Sequence, residues 1–298
     1  MRGSIISSSS ASCARTLARM PNVVSLTWTE ALFHPSTGFE LFKHLTALHL
    51  ENYGFPSLND FISLIGSLSR LEELSCTSVR AGECTSIITP SSPSPLPSLR
   101  LLHFDNVVMN HFMFTEWIDI NSMHTHLHSL TLFSILPNDF SLWVASVVSV
   151  NPLLRHLAIS PKHPYVLGNL LDSYDPDYPF PDTQLRSLEF GDRSFDIITL
   201  MVLCTLFRSG VLPTIEKVTI LVTDIDQFLK FESISGWRRI IVELLSERHP
   251  SFRRFVIRVL TRTASLDYRG VELIKERFME FHSLGLLEVE ICGNKVVV

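Results

Sequence analysis

Leu96–Phe104 reads LPSLRLLHF: a proline, one residue, an apolar position, two residues, an apolar position, one residue, an apolar position. Proline cannot continue a helix and pushes its predecessor toward extended backbone, so it closes one element and launches the next. Side chains alternate between the faces of a strand, so the last two apolar positions, two residues apart, share one face. The same grammar returns as PNVVSLTW from Pro21, PLLRHLAI from Pro152, PTIEKVTI from Pro213 and PSFRRFVI from Pro250.

Without the proline, the apolar spacing also begins at Leu45, Leu71, Leu99, Leu127, Leu185 and Leu284. With Val23, Leu154, Ile215 and Phe252 there are ten starts, separated by 22, 26, 28, 28, 27, 31, 30, 37 and 32 residues. Three apolar positions coincide by chance at roughly one site in ten of so apolar a chain, so the hexamers alone prove little. The prolines decide it: five of the ten copies carry one two residues before the first apolar position, although the chain has 16 prolines in 298 residues.

Amphipathic helical stretches separate the expected strands. Ser57 is a natural N-cap for a helix with Leu58, Phe61, Ile62, Ile65 and Leu68 on one face. Trp237, Ile240, Ile241, Leu244 and Leu245 form another apolar stripe, and Asp267 could cap a third helix with Val271, Ile274, Phe278 and Phe281 inward. Residues 139–148 and 196–207 are apolar nearly all round and predict better-buried helices. A strand–turn–helix unit of this size cannot bury its own apolar face, so stacked neighbours must make the core. The expected fold is therefore α/β: a solenoid of about ten repeats over residues 21–298, with parallel strands on the concave side and helices on the convex side. Residues 1–20 are expected to be a poorly ordered or partly helical start, and residues 85–98 and 172–183 to be loops, one Ser/Pro-rich and one acidic and Pro-rich.

The composition narrows the class of function. With 46% hydrophobic and 18% charged residues the chain is a folded protein with a large core, not a disordered one. A net charge of -5 argues against a general grip on nucleic acid. No apolar run reaches the roughly 20 residues a membrane-spanning helix needs. Five cysteines without a C-x-x-C spacing read as reduced thiols of a cytoplasmic or nuclear protein. Arg2, Arg15 and Arg19 among serines, with no acidic residue before Glu30, leave a mitochondrial presequence as the minor alternative.

The repeat resembles that of leucine-rich-repeat proteins, L-x-x-L-x-L-x-x-N/C. The SSPSPLPSLRLLHF style, a Ser/Pro loop running into LPSLR, is similar to the irregular repeats of F-box/leucine-rich-repeat proteins of mushroom-forming fungi. The ladder position departs from the pattern: Tyr53, Val79, Val107, Ile135, Lys162, Arg193, Thr223 and Leu260 stand there, and only Cys292 fits, with Asn52 and Asn106 one place early. The F-box, which docks on Skp1, is not recognisable in this chain; LPNDFSLWV from Leu136 only superficially resembles its opening. The resemblance implies a non-catalytic protein-binding module, the substrate-recognition part of an F-box-type ubiquitin-ligase receptor or a paralogue lacking the F-box. Skp1 is a partner only if an F-box lies upstream. The alternatives are a free-standing repeat scaffold unrelated to ubiquitin and, more weakly, a hydrolase-like enzyme.

Individual clusters point to little chemistry. HTHLH would set His124, His126 and His128 on one side of a strand as metal ligands, but exposed imidazoles in a loop before a strand are the simpler expectation. DSYDPDYPFPD lacks the register of a calcium loop. Thr89, Ser92 and Ser94, each followed by proline, could be phosphorylated in a spacer loop. No nucleophile elbow, phosphate loop, dinucleotide fingerprint or zinc motif is present, so no catalytic residue, cofactor or metal is expected. Residues 236–270 carry a net +5, an arginine patch suited to an acidic or phosphorylated segment or else ordinary solvated surface. If each repeat buries its first, fourth and sixth positions, the third, fifth and seventh line the concave face. The expected partner-binding residues are accordingly His49, Glu73, His103, Phe133, His156, Glu189, Lys217, Arg254, Arg258 and Glu288. Arg254, Arg258 and Phe133 stand out among them as the interface anchors.

Overall fold

The computed structural model describes residues 3–4, 23–29, 42, 44–83, 98–136, 139, 143, 147–148, 151–161, 184–192, 214–223, 225, 228, 238, 240–242, 244–247, 249–260, 268–291 and 294–296. The architecture is α/β with mostly parallel strands and few helices, and the chain divides into two compact units, Met1–Asn151 and Pro152–Val298.

In the first unit the strands are β1 (Gly3–Ser4), β2 (Ser25–Thr29), β3 (Ala47–Glu51), β4 (Gly54–Phe55), β5 (Glu73–Thr77), β6 (Arg80–Ala81), β7 (Leu101–Asp105) and β8 (Ser129–Ile135). All pairings are parallel: β1, β2, β3, β5, β7 and β8 lie side by side in that order, and β4 pairs with β6. The register places like positions opposite each other, so Leu26, Leu48, Leu74, Leu102 and Leu130 form one row and Trp28, Leu50, Cys76, Phe104 and Leu132 the next. All ten are buried, as are Leu45, Leu71, Leu99 and Leu127 at the first apolar position of the repeat.

Each of four successive strands ends alike. Asn52, Ser78, Asn106 and Ser134 have φ of 52–54°. Asparagine tolerates this left-handed region better than most residues, which explains Asn52 and Asn106 one place before the ladder position. The Asn52, Ser78 and Asn106 amides donate to the carbonyls of Thr77, Asp105 and Phe133. After the turn, Tyr53, Val79 and Val107 point into the core, so the position that carries Asn or Cys in regular repeats is apolar here. A second short parallel ladder follows through β4, β6 and the Arg80–Val108 bridge.

Two helices cover the buried rows. Helix α1 (Leu58–Ser67) starts as expected at Ser57, whose Oγ accepts from the Asp60 amide while the Asp60 carboxylate accepts from the Ser57 amide. Its Leu58, Phe61, Ile62 and Ile65 are buried, with Leu68 just beyond. Helix α2 (His111–Ile120), capped by Asn110, was not legible from spacing: Phe112 and Ile120 on its outer side are as apolar as the buried Phe114, Trp117 and Ile118. Phe104 of β7 meets Phe114 at 5.5 Å and Trp143 at 5.7 Å, and Phe61 meets Phe114 at 5.5 Å, so the aromatic rings join sheet and helices.

The second unit contains β9 (His156–Pro161), β10 (Ser187–Asp192), β11 (Lys217–Val222), β12 (Arg254–Val259), β13 (Leu287–Ile291) and β14 (Asn294–Val296). Strands β9 to β13 are parallel neighbours and β14 turns back antiparallel on β13. Helices α3 (Tyr268–Arg277) and α4 (Met279–Ser283) bury Val271, Ile274, Phe278 and Phe281 as expected, and Phe255 of β12 packs on Phe278 and Phe281. Two expected core positions are not core: Leu284 is 59% and Leu245 39% exposed. The expectations for Asp267, Trp237, residues 196–207 and the loops 85–97 and 172–183 lie outside the described residues.

Gly82 pins α1 to the second ladder: its amide donates to Phe55, its carbonyl accepts from Leu58, and an added Cβ would stand 2.1 Å from the Pro56 carbonyl oxygen. Gly82→Ala is expected to cost at least about 2 kcal/mol in urea unfolding, because backbone must move. Gly54→Ala, where nothing lies within 4 Å, should stay within about 1 kcal/mol of the parent.

Candidate functional site

Alternation along the strands leaves a second sheet face in each unit, and the two units use it differently. In the first unit this face holds three rows: Ser25, Ala47, Glu73, Leu101 and Ser129; Thr27, His49, Ser75, His103 and Thr131; Thr29, Glu51, Thr77, Asp105 and Phe133. None is buried. His49 Nε2 lies 3.7 Å from Glu73 Oε1, and the Phe133 ring meets His103 edge-on at 5.8 Å. Burial lowers the His103 pKa; Asp105 opposes that shift and His49 adds to it. Of the expected partner-binding residues, the structure brings His49, Glu73, His103 and Phe133 together here.

In the second unit the corresponding rows are His156, Ser187, Lys217 and Arg254; Ala158, Glu189, Thr219, Val256 and Glu288; Gly191, Leu221, Arg258 and Glu290. The middle of this face is closed: Thr219 is 1% and Leu221 5% exposed, with Ala158 and Val256 also buried. Leu221 leans over Gly191, where an added Cβ would meet it at 2.8 Å. Arg258 reaches across β11 from β12, donating from one guanidinium nitrogen to Glu189 at 2.7 Å and from Nε to Glu290 at 2.5 Å. Burial opposes its charge, but the hydrogen bonds and charges of Glu290 and Glu189 outweigh that, and its pKa is raised. Arg258 is therefore a clamp that ties β12 to β13 and, across β11, to β10 rather than a free cation, and Glu189 is taken with it. His156, Lys217 and Arg254 sit at the N-terminal end of the strands, and Glu288 lies on β13 opposite Val256. Burial lowers the His156 pKa; Glu189 opposes, while Lys217 and Arg258 reinforce the shift.

HTHLH forms a 3-10 turn over Met123–His126, not a strand. His124 faces Asp119 at 3.6 Å, His126 is exposed, and His128 Nδ1 stands 2.7 Å from the His126 carbonyl. No group of three or more potential metal ligands assembles among the described residues.

One buried polar group escaped the sequence. His111, at the first turn of α2, is 4% exposed, with Nδ1 3.3 Å from Trp143 Nε1 and Nε2 4.0 Å from Asp139 Oδ2. An indole N–H can only donate, so His111 Nδ1 accepts and the neutral ring carries its proton on Nε2, toward Asp139. Burial lowers the His111 pKa against the opposing pull of Asp139 and a bond to the Val107 backbone; burial raises that of Asp139. The three partners come from segments 28 and 32 residues apart and share no motif.

No protein family and no characterised protein matches the chain, so functional assignment rests on this geometry and on the repeat pattern. No helix among the described residues is long and apolar enough to cross a membrane.

Arg258→Met should cost roughly 2–3 kcal/mol in urea unfolding, less than a fully buried pair because a quarter of Arg258 stays exposed. Adding Glu189→Gln and Glu290→Gln to that variant should restore about half of the loss, since it removes the two stranded charges.

Acid should destabilise the fold early. Unfolded, His103, His111 and His156 titrate near 6.5; folded, each titrates lower, so unfolding takes up protons below that value. Their contribution is complete above pH 6.5 and is lost as pH falls through it, whereas the raised Asp139 carboxyl stabilises only lower, in the carboxylate range. The melting temperature should therefore drop between about pH 7 and pH 5, and His111→Gln should flatten part of that slope.

Proposed function

We propose that this chain is an irregular leucine-rich-repeat solenoid serving as a non-catalytic protein-binding module, of the kind that presents substrates in F-box-type ubiquitin-ligase receptors. The observation that supports it most is the first unit's second sheet face, where five parallel strands in register display fifteen side chains, none of them buried. The core does not need these residues, yet they form a continuous surface about 20 Å across the strands at the usual spacing. Its acceptors and imidazoles supply hydrogen-bonding positions, and Phe133 supplies an apolar anchor of the kind that dominates interfaces. A catalytic role has less support: the Ser75 hydroxyl makes no hydrogen bond to His49 or His103, which a nucleophile would need from its base.

The test is to identify the partner by cross-linking and co-purification, then to measure its affinity for Phe133→Ala and His103→Ala. Loss of about tenfold or more with the melting temperature nearly unchanged is the expected result, because interface anchors cost binding without costing core. Unchanged affinity in both variants removes this face from the interface.

A further inference from the structure

At the N-terminal ends of β9 to β12, two residues per strand occupy equivalent places: Arg155 and His156, Arg186 and Ser187, Glu216 and Lys217, Arg253 and Arg254. Their backbones are joined by one repeated arrangement. The Arg155 carbonyl accepts from the amides of Arg186 and Ser187, the Arg186 carbonyl from Glu216 and Lys217, and the Glu216 carbonyl from Arg253 and Arg254. Five cations and one carboxylate thus stand on four adjacent strands, a net of +4 in a chain whose total is -5. At about 4.8 Å per strand the strip is only about 15 Å long.

The fold does not demand this charge. In the first unit the same arrangement runs through the carbonyls of Thr46, Glu72 and Arg100. There the equivalent residues are Thr46, Ala47, Glu72, Glu73, Arg100, Leu101, His128 and Ser129, with a net of -1. Nor is the strip neutralised from within. Arg186 faces Glu216 at 3.5 Å with both half-exposed, and Arg253 donates to the carbonyls of Pro250 and Phe252, bonds that leave its charge intact. The side chains of Arg155, Lys217 and Arg254 make no ion pair or hydrogen bond among the described residues. Glu189, in the next row of the face, is held by Arg258.

We infer that this strip binds an acidic, carboxylate-bearing peptide segment lying across the ends of β9 to β12. Guanidinium groups pair with carboxylates through two parallel bonds, and long Arg and Lys stems let side chains from neighbouring strands converge on a chain passing over them. A nucleic acid fits less well, since an excess of negative charge elsewhere on the chain repels a long polyphosphate while a short peptide touches the strip alone. The inference rests on the protein-binding module proposed above and names a second contact surface and its chemistry.

The experiment follows fluorescence anisotropy of a labelled short Asp/Glu-rich peptide against the full chain, with a Gly/Ser peptide and a single-stranded oligothymidylate of equal length as comparisons. The acidic peptide should bind, should weaken as salt rises from about 50 to about 300 mM, and should lose about tenfold or more in affinity for Arg155→Glu/Lys217→Glu/Arg254→Glu. All three positions face solvent at least in part, and a thermal melt matching the parent shows that the variant is folded. Absence of acidic-peptide binding by the parent, undiminished binding by the variant, or tighter binding of the oligothymidylate overturns the inference. The protein-binding reading fails separately, if affinity for the co-purified partner is indifferent to Phe133→Ala and His103→Ala, because those residues lie outside the strip.

Discussion

Everything in the first unit depends on parallel strands pairing without stagger. Leu48, Leu74, Leu102 and Leu130 face one another across adjacent strands, and His49, Ser75, His103 and Thr131 do the same on the other side. A slip of one residue would drive imidazoles and hydroxyls into the core and leucines into water. The left-handed turns at Asn52, Ser78 and Asn106 end β3, β5 and β7 at the same place, so the next segment also arrives in register. A polar face is then a consequence of the core: once the apolar rows are buried, alternation leaves the rest outside.

The second unit shows that a polar pattern does not guarantee an available surface. Alternation sets Glu189, Arg258 and Glu290 on the side away from the helices, yet Arg258 bonds to both carboxylates across the four strands β10 to β13 while Thr219 and Leu221 are closed off. A guanidinium between two carboxylates satisfies charges that would otherwise be costly to desolvate. It also leaves little of Arg258 for a partner. Arg254, four residues earlier on the same strand, has no such neighbours among the described residues, and the difference between the two arginines is one of position only.

Local rules made part of the helical layer legible. Helix α1 announced itself because an apolar stripe and a Ser57 cap agree. Helix α2 did not, because Phe112 and Ile120 break the contrast between its sides. The His111, Trp143 and Asp139 group was invisible for a different reason: nothing in a one-dimensional spacing says that two stretches some 30 residues apart will meet.

By itself the sequence determined the strands, their buried positions and the α/β class, because period-two alternation and proline placement are local and act on each repeat independently. It also determined which residues stand outside the core in the first unit, among them His49, His103 and Phe133. Only the tertiary structure decided which outer residues meet one another. It turned Arg258 from a candidate anchor into a clamp, left Leu284 outside the core, and gathered Arg155, Arg186, Lys217, Arg253 and Arg254 from four repeats into one strip. Pairwise electrostatics depends on distance in space, and the distance between repeats is fixed by strand pairing, which no single repeat contains.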